Sequence, residues 1–194
     1  MTDEYLTISD KIGEGFYSEK RSKFLAFAHH VETIDEIKTL LAEYRKKYYD
    51  ARHVCYAYVL GPEKAEFRAN DDGEPSSTAG KPILGQIHSS SLTNVLIVVV
   101  RYYGGVNLGT GGLIVAYRSA AALAIESAEI VKRQVEEIVE FSFTYPMMNG
   151  VMRIAKEMDA RIVDQHFEST CKIRLSVRRS QAEELRGKLN QLSF

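Results

Sequence analysis

The segment VLIVVVRYYGGVNLGTGG, residues 95–112, decides how this chain folds. Its first part, Val95–Val100, is apolar at every position, which predicts a central strand covered on both faces. Five glycines follow within nine residues, and the apolar run from Leu113 onward is typical of a buried helix. Because glycine costs backbone entropy, these glycines must serve either positive φ angles in a tight turn or a close approach of the backbone to a ligand or another chain segment.

A strand, a glycine-rich loop and a helix start in this order are also typical of an anion site, since the first N–H groups of a helix lack internal partners. The loop is not of the Walker type, because no lysine followed by serine or threonine ends it. It is not a dinucleotide fingerprint either, because Ile114 stands where a third glycine should follow Gly109 and Gly111. Two interpretations stay open: a looser phosphate-binding loop, and glycines that serve only a tight crossover and close helix–sheet packing.

The bulk composition is that of a soluble globular protein, with 45% hydrophobic and 26% charged residues. The formal net charge of -1 provides no global field, so nucleic-acid binding would need a local basic patch. No apolar run is long enough to span a bilayer, and the opening residues MTDEY lack the apolar core of a signal peptide. Cys55 and Cys171 lie far apart in sequence, so we expect a reduced, cytoplasmic protein without a structural disulfide.

Hydrophobic periodicity predicts the elements that precede this segment. Residues 23–28 and 54–60 are rich in strand formers. Thr33 and Glu36 stand at the spacing of a capping box, ahead of apolar residues at helical spacing. Residues 61–91 carry no long periodic pattern, and we therefore predict a long loop there.

The pattern changes near residue 134, and the chain is predicted to form two domains, 1–133 and 134–194. From residue 136 the periodicity indicates the order β-α-β-β-α. This is the order of a ferredoxin-like split βαβ unit whose last strand is short or missing. Ser180 and Glu183 stand at the spacing of a second capping box, ahead of the last helix.

The segment NDDGEPSSTAGKP, residues 70–82, is a second candidate functional loop. Its carboxylates suit a divalent cation, but their spacing does not match a calcium loop. The alternative is that Asp-Gly forms a turn and that the Asp and Ser side chains bond their own backbone. We expect neither a metal nor a cofactor, and the residues retained as a candidate functional loop are Asp71, Asp72, Glu74, Ser76 and Thr78.

A basic and aromatic cluster lies in the segment FYSEKRSKF, residues 16–24. Combined with the end of the apolar strand, it could form a surface that contacts RNA phosphates and stacks bases, although a charge run is more often a solvated face. The residues expected to bind nucleic acid or another anion are Lys20, Arg21, Lys23, Arg101, Tyr102, Gly104, Gly105, Gly109, Gly111 and Gly112.

His53 and Cys55 stand two residues apart on a predicted strand and therefore face the same side of it. Two ligands do not make a zinc site, which usually needs three or four. A cysteine nucleophile with a histidine base rarely obtains its geometry from neighbouring positions of one strand. We interpret both residues as packed strand positions.

Four motifs in the same order resemble the YigZ/Impact family, and the resemblance covers nearly the whole chain. They are FYSEKRSKF (16–24), ARHVCYAY (51–58), DDGEPSSTAGKPIL (71–84) and the glycine-rich segment 101–112. The resemblance implies an α+β protein: a ribosomal-protein domain-2-like N-terminal domain followed by a small ferredoxin-like (β-α-β-β-α) C-terminal domain. Elongation factor G carries the same pair of folds in adjacent domains. The family implies a role around translation or RNA, without an established reaction.

Three positions depart from the family pattern. Ser77 stands where we expect glycine, and Asn107 and Val115 stand where many members have a basic residue. Each missing cation removes a phosphate contact and part of the salt-dependent affinity for nucleic acid.

Three functions are therefore consistent with the sequence. We expect no membrane partner, and the sequence leaves the oligomeric state open. The leading hypothesis is a cytoplasmic, non-enzymatic protein that contacts RNA, the ribosome or translation factors. The first alternative is an enzyme that binds a phosphorylated small molecule or nucleotide through the glycine-rich loop, with Asp71 or Asp72 holding a metal or acting as base. The second alternative is a protein-interaction module.

Overall fold

The computed structural model of the chain describes residues 2–192. It divides into two compact units, one of Tyr5–Arg133 and the other of the chain from Gln134 onward together with the residues up to Glu4. None of the helices within residues 2–192 is long and apolar enough to cross a membrane.

The first unit is built on an antiparallel sheet of five strands. Its elements are β1 (Glu4–Ile8), β2 (Gly13–Glu19), β3 (Ser22–His30), α1 (Ile34–Lys47), β4 (His53–Leu60), β5 (Glu66–Asn70), α2 (Gly80–Ser89), β6 (Val95–Tyr102), α3 (Gly109–Ser127) and β7 (Ile130–Gln134). The order in the large sheet is β2-β3-β6-β4-β5, and β1 pairs with β7 in a separate two-stranded sheet.

The central strand is β6, and residues 95–100 are fully buried. Successive side chains of a strand point to opposite faces. The odd-numbered residues accordingly pack in a core with α2 and α3, and the even-numbered residues pack in a core with α1. The prediction of a central strand covered on both faces is confirmed.

The capping box at the start of α1 is also confirmed. The hydroxyl of Thr33 accepts a hydrogen bond from the backbone N–H of Glu36 at 3.2 Å, and the Glu36 carboxylate accepts one from the N–H of Thr33 at 3.4 Å. The two bonds satisfy N–H groups that a helix start leaves without internal partners.

The expectation of a long loop over residues 61–91 is wrong, because β5 and α2 lie within it. β5 is a short edge strand with exposed or half-buried residues, so it lacks the alternation that identifies a half-buried strand. α2 carries Pro82 in its first turn and Gly85 near its middle, two residues that usually interrupt helices. A proline is tolerated in the first turn because its missing N–H would have no partner there.

The second unit has the predicted order β-α-β-β-α, and the α+β fold is confirmed. Its elements are β8 (Glu136–Phe143), α4 (Met148–Glu157), β9 (Arg161–Phe167), β10 (Cys171–Arg178) and α5 (Ala182–Asn190). β10 is the middle strand of an antiparallel sheet ordered β8-β10-β9. Ile173 and Leu175 of β10 are fully buried in one core with Val151 of α4 and Leu185 of α5.

The second capping box is wrong, because the N-cap residue of α5 is Gln181, and its side chain makes no capping hydrogen bond. A short 3-10 turn, Arg179–Gln181, precedes the helix instead. The hydroxyl and the backbone N–H of Ser180 both donate to the carboxylate of Asp3, at 3.2 and 3.0 Å. A partner that lies at the other end of the sequence therefore takes the place of Glu183.

Helix α3 packs closely on the edge strand β2 at Gly15. A Cβ atom at Gly15 would lie 2.6 Å from the backbone nitrogen of Ala124 and 2.7 Å from the carbonyl oxygen of Ala120. These backbone atoms belong to a buried helix, so they have little room to move. The spacing between helix and sheet depends on the absence of a side chain at this position.

We predict that Gly15→Ala lowers the free energy of unfolding by about 1–3 kcal/mol through overpacking. Gly85→Ala is the matched control, because nothing lies within 4 Å of a Cβ at this helical position. It should raise stability by about 0.5–1 kcal/mol. Urea unfolding of the two variants checks both signs, and equal behaviour would contradict the close contact.

Candidate functional site

The hairpin that joins β2 and β3 presents two cations at its tip. Glu19 pairs with Ser22, so the turn consists of Lys20 and Arg21 alone. Both residues have positive φ angles, 46° and 67°, as a type I′ turn requires. For residues other than glycine this left-handed conformation costs roughly 1–2 kcal/mol each. The tip therefore exposes two basic side chains at a cost in backbone energy.

The glycine-rich loop packs against this hairpin. A Cβ atom at Gly104 would overlap the backbone of Arg21 and Ser22. The N–H of Gly104 also donates to the Ser22 hydroxyl at 3.2 Å. Gly105 and Gly109 serve the other purpose, since their φ angles are 88° and 73°. Close approach and positive φ both occur within this loop.

Helix α3 begins at Gly109 without a side-chain cap and without an acidic residue in its first turn. A shallow pocket of about 230 Å³ lies beside this helix start and is lined by Tyr17, Glu19, Lys20, Leu108, Gly111, Gly112 and Val115. The fold therefore brings together Lys20, Gly111 and Gly112, three of the residues expected to bind an anion. The Glu19 carboxylate lines the same pocket and opposes an anion there.

The expected exposed surface does not include Arg101, which is only 5% exposed. Its guanidinium pairs with Glu74 at 2.5 Å, inside the protein. The side chain of Lys23 also lies apart from that of Arg101. Arg101 pairs with Phe24 across the sheet, so their side chains share a face, and residues 23 and 24 point to opposite faces. Tyr102, beside Lys23, donates its hydroxyl to Asp50 at 2.9 Å.

The buried carboxylate of Glu74 organises a polar cluster in the first unit. Its Oε1 atom accepts hydrogen bonds from Arg101 Nη1 at 2.5 Å and from the Tyr117 hydroxyl at 2.7 Å. His53 Nε2 lies 3.6 Å from the same oxygen. Arg101 also reaches the Ser22 hydroxyl at 3.4 Å, while its Nε is buried without a partner in the described part of the chain. The candidate functional loop of residues 70–82, called the acidic loop below, thus meets β4, β6 and α3 at one oxygen.

Sequence reasoning missed this cluster, because Tyr117 stands in a helix that is mostly apolar. One signal was available: Arg101 follows six apolar residues of a central strand. A charge in that position requires a buried partner. The sequence did not indicate which carboxylate would supply it.

The two aspartates of the acidic loop bind backbone groups. Asp71 accepts hydrogen bonds from the N–H groups of Ser77, Ala79 and Gly80, at 2.9, 3.2 and 2.8 Å, and so caps the start of α2. Asp72 accepts one from the N–H of Val54 at 2.7 Å. Within residues 2–192 no group of three or more His, Cys, Asp or Glu side chains could hold a metal ion.

Other residues of the acidic loop serve its turns. Ser77 has a φ of 66°, a left-handed conformation that glycine adopts more easily, which accounts for the expectation of glycine at this position. The buried Thr78 donates its hydroxyl to the carbonyl of Pro75 at 2.6 Å. Ser76 is exposed.

His53 and Cys55 are both engaged by the acidic loop. His53 Nδ1 lies 2.7 Å from the Asp72 carbonyl, so Nδ1 carries the proton in this bond. The Cys55 thiol donates to the Asp71 carbonyl at 3.1 Å and lies 3.4 Å from the Tyr117 hydroxyl. Burial raises the pKa of the Cys55 thiol and of Tyr117, so both stay protonated at neutral pH. This arrangement fits packed strand residues and disfavours a thiolate nucleophile.

We predict that Glu74→Gln lowers the free energy of unfolding by about 3–5 kcal/mol, because it leaves the buried Arg101 without a counter-charge. Glu32→Gln is the control, since the exposed Glu32 pairs with Arg133 at 3.8 Å and should change stability by less than about 1 kcal/mol. Denaturant unfolding at pH 7 measures both. A small effect at Glu74 would show that the buried pair does not hold the loop.

A second prediction concerns the Cys55 thiol. In a Cys171→Ala background, Cys55 should react with a disulfide reagent at pH 8 only as fast as the protein unfolds. In guanidinium chloride it should react at once, because its pKa returns to about 8.5. Rapid reaction of the folded protein near pH 7 would instead indicate an accessible thiolate.

Comparison with known proteins identifies the family. The model of the Impact N-terminal domain matches residues 20–125, which contain the hairpin tip, the acidic loop and the glycine-rich loop. A crystal structure described as that of a hypothetical protein has a TM-score of 0.80 at 28% identity, and the match covers 100% of this chain and 94% of that one.

Two bacterial relatives match most of the chain. The IMPACT family member YigZ of Escherichia coli (strain K12) is 30% identical over 178 residues, which cover 90% of this chain and 86% of the relative. The IMPACT family member YvyE of Bacillus subtilis (strain 168) is 32% identical over 167 residues, covering 86% and 76%. On the domain match and these identities, the chain belongs to the IMPACT family.

Proposed function

We propose that this protein acts without catalysis by contacting RNA in the translation machinery, through the hairpin tip and the start of α3. The observation that carries the proposal is the pocket that joins Lys20 to Gly111 and Gly112. An uncapped helix start offers N–H donors and a positive dipole end, and a neighbouring lysine adds a full charge. A phosphate of the RNA backbone is the ligand that this combination suits.

The strained conformation of the hairpin tip supports the same proposal. A type I′ turn is most stable with Asn-Gly, yet Lys20 and Arg21 occupy its two positions. Strain of this kind persists where the rest of the structure compensates for it, and it clusters at functional sites. Two exposed cations that cost stability are explained by a polyanionic partner.

The number of cations sets the expected strength of binding. Val115 and the neighbouring Asn107 provide no charge, so among residues 2–192 Lys20 is the one basic residue that lines the pocket. Each phosphate neutralised on a single strand contributes about 0.7 to the slope of log K against log salt concentration. Lys20 and Arg21 together account for a slope of about 1.4, which predicts weak contact from this site alone.

The enzyme alternative has less support. It requires the carboxylate of Asp71 or Asp72 to hold a metal or to act as base. Both carboxylates instead accept hydrogen bonds from backbone N–H groups that shape the acidic loop.

The double variant Lys20→Asn, Arg21→Gly tests the proposal. It installs the preferred turn, so the free energy of unfolding should rise by about 1 kcal/mol. RNA affinity at low salt should fall, and the salt slope should decrease by about 1.4. Salt-titrated fluorescence anisotropy with RNA, together with ribosome co-sedimentation, measures the effect.

The control removes two exposed charges elsewhere, with Lys11→Gln and Lys38→Gln. It should leave RNA affinity nearly unchanged. A hairpin variant that is more stable and still binds RNA like the original protein would overturn the proposal. So would the absence of any salt-dependent RNA binding by the original protein.

A further inference from the structure

A second basic and aromatic segment follows the middle of α1 and was not part of the sequence-based site. The segment YRKKYYDAR, residues 44–52, contains three tyrosines and four cations. Tyr44 and Tyr48 pack inward against Phe27, with ring centroids 5.0 and 5.9 Å away. The rest of the segment is exposed or half-buried, and Tyr49 is 83% exposed.

Three contacts hold this segment against the end of β6. The N–H of Arg52 donates to the carbonyl of Arg101 at 3.1 Å. The hydroxyl of Tyr102 donates a hydrogen bond at 2.9 Å to the carboxylate of Asp50, the acidic residue of this segment. The guanidinium of Arg52 lies 4.8 Å from the centroid of the Tyr103 ring. The Arg52 guanidinium therefore makes a cation–π contact with Tyr103.

The neighbouring strand adds a further cation. Lys23 pairs with Tyr102 across β3 and β6 and points to the face of the sheet that α1 covers. We call Lys23, Lys47, Tyr49, Arg52 and Tyr103 the tyrosine surface. Its three cations form no ion pair with any residue of the described range 2–192, and Tyr103 is 39% exposed.

The tyrosine surface adjoins the hairpin tip. Gly104 follows Tyr103 directly and packs on the backbone of Arg21. One extended ligand that contacts Arg21 therefore meets Tyr103 and Arg52 next. The hairpin tip and the Tyr103 end of the tyrosine surface are therefore neighbours on the first unit.

We propose that the tyrosine surface binds single-stranded RNA, an inference that rests on the proposed function and names its form of RNA. Exposed aromatic rings and guanidinium planes stack unpaired bases, whereas a duplex hides the faces of its bases in its own stack. Tyr49 and Arg52 stack two bases, and Lys23 and Lys47 meet the phosphates between them. Charge complementarity selects a polyanion, and the exposed rings select a strand with free bases.

The test uses the full chain and a fluorescent single-stranded RNA of about 10 nucleotides, within the site size of such surfaces. Tyr49→Ala removes one stacking platform, so affinity should fall roughly tenfold with an unchanged salt slope. Arg52→Gln should weaken binding and lower the slope by about 0.7. Tyr145→Ala is the control, a tyrosine of the second unit that is 56% exposed, and should change nothing.

The outcomes separate this inference from the proposed function. If Tyr49→Ala binds the strand like the original protein, or if a hairpin RNA duplex binds as tightly as the single strand, the tyrosine surface is not the site. The proposed function then stands, provided that the Lys20→Asn, Arg21→Gly variant still loses affinity. If the original protein binds neither RNA at low salt, both are overturned.

Discussion

The buried ion pair between Glu74 and Arg101 is the constraint on which the first unit depends. Burial of two charges is expensive unless each has good partners. The Glu74 carboxylate also accepts a hydrogen bond from the Tyr117 hydroxyl and lies near His53. One oxygen atom therefore joins the acidic loop, strands β4 and β6, and helix α3. Arg101 stands where β6 leads into the glycine-rich loop, so the pair that anchors the acidic loop also positions the start of the next loop.

The hairpin tip follows the opposite logic. Its two cations are exposed, and their backbone conformation is one that asparagine and glycine adopt more easily. In the interior of this unit, the charges of Glu74 and Arg101 hold a loop, two strands and a helix together. At the hairpin tip, the strained backbone holds two charged side chains in solvent. Two motifs that look equally polar in the sequence serve different purposes.

Local patterns explain which predictions were confirmed. The apolar run of β6, the capping box of α1 and the alternation in residues 136–194 depend on neighbours in sequence, and each formed the element that its pattern indicates. β5, α2 and the start of α5 were not predicted correctly. An exposed edge strand, a helix with a proline and a glycine, and a serine that bonds Asp3 carry no distinctive periodic signal.

In the candidate site, too, the sequence indicated some contacts and missed others. Lys20, Gly111 and Gly112 line one pocket. Arg101 and Lys23 do not join them, since neighbouring strand residues alternate in direction and Arg101 found a carboxylate 27 positions away. By itself, the sequence determined the family, the α+β fold and the order of the elements from residue 136 onward, because motif order and periodicity are local. Only the tertiary structure decided which charges are buried and which face solvent, because that choice depends on desolvation and on partners that the fold brings together from distant positions.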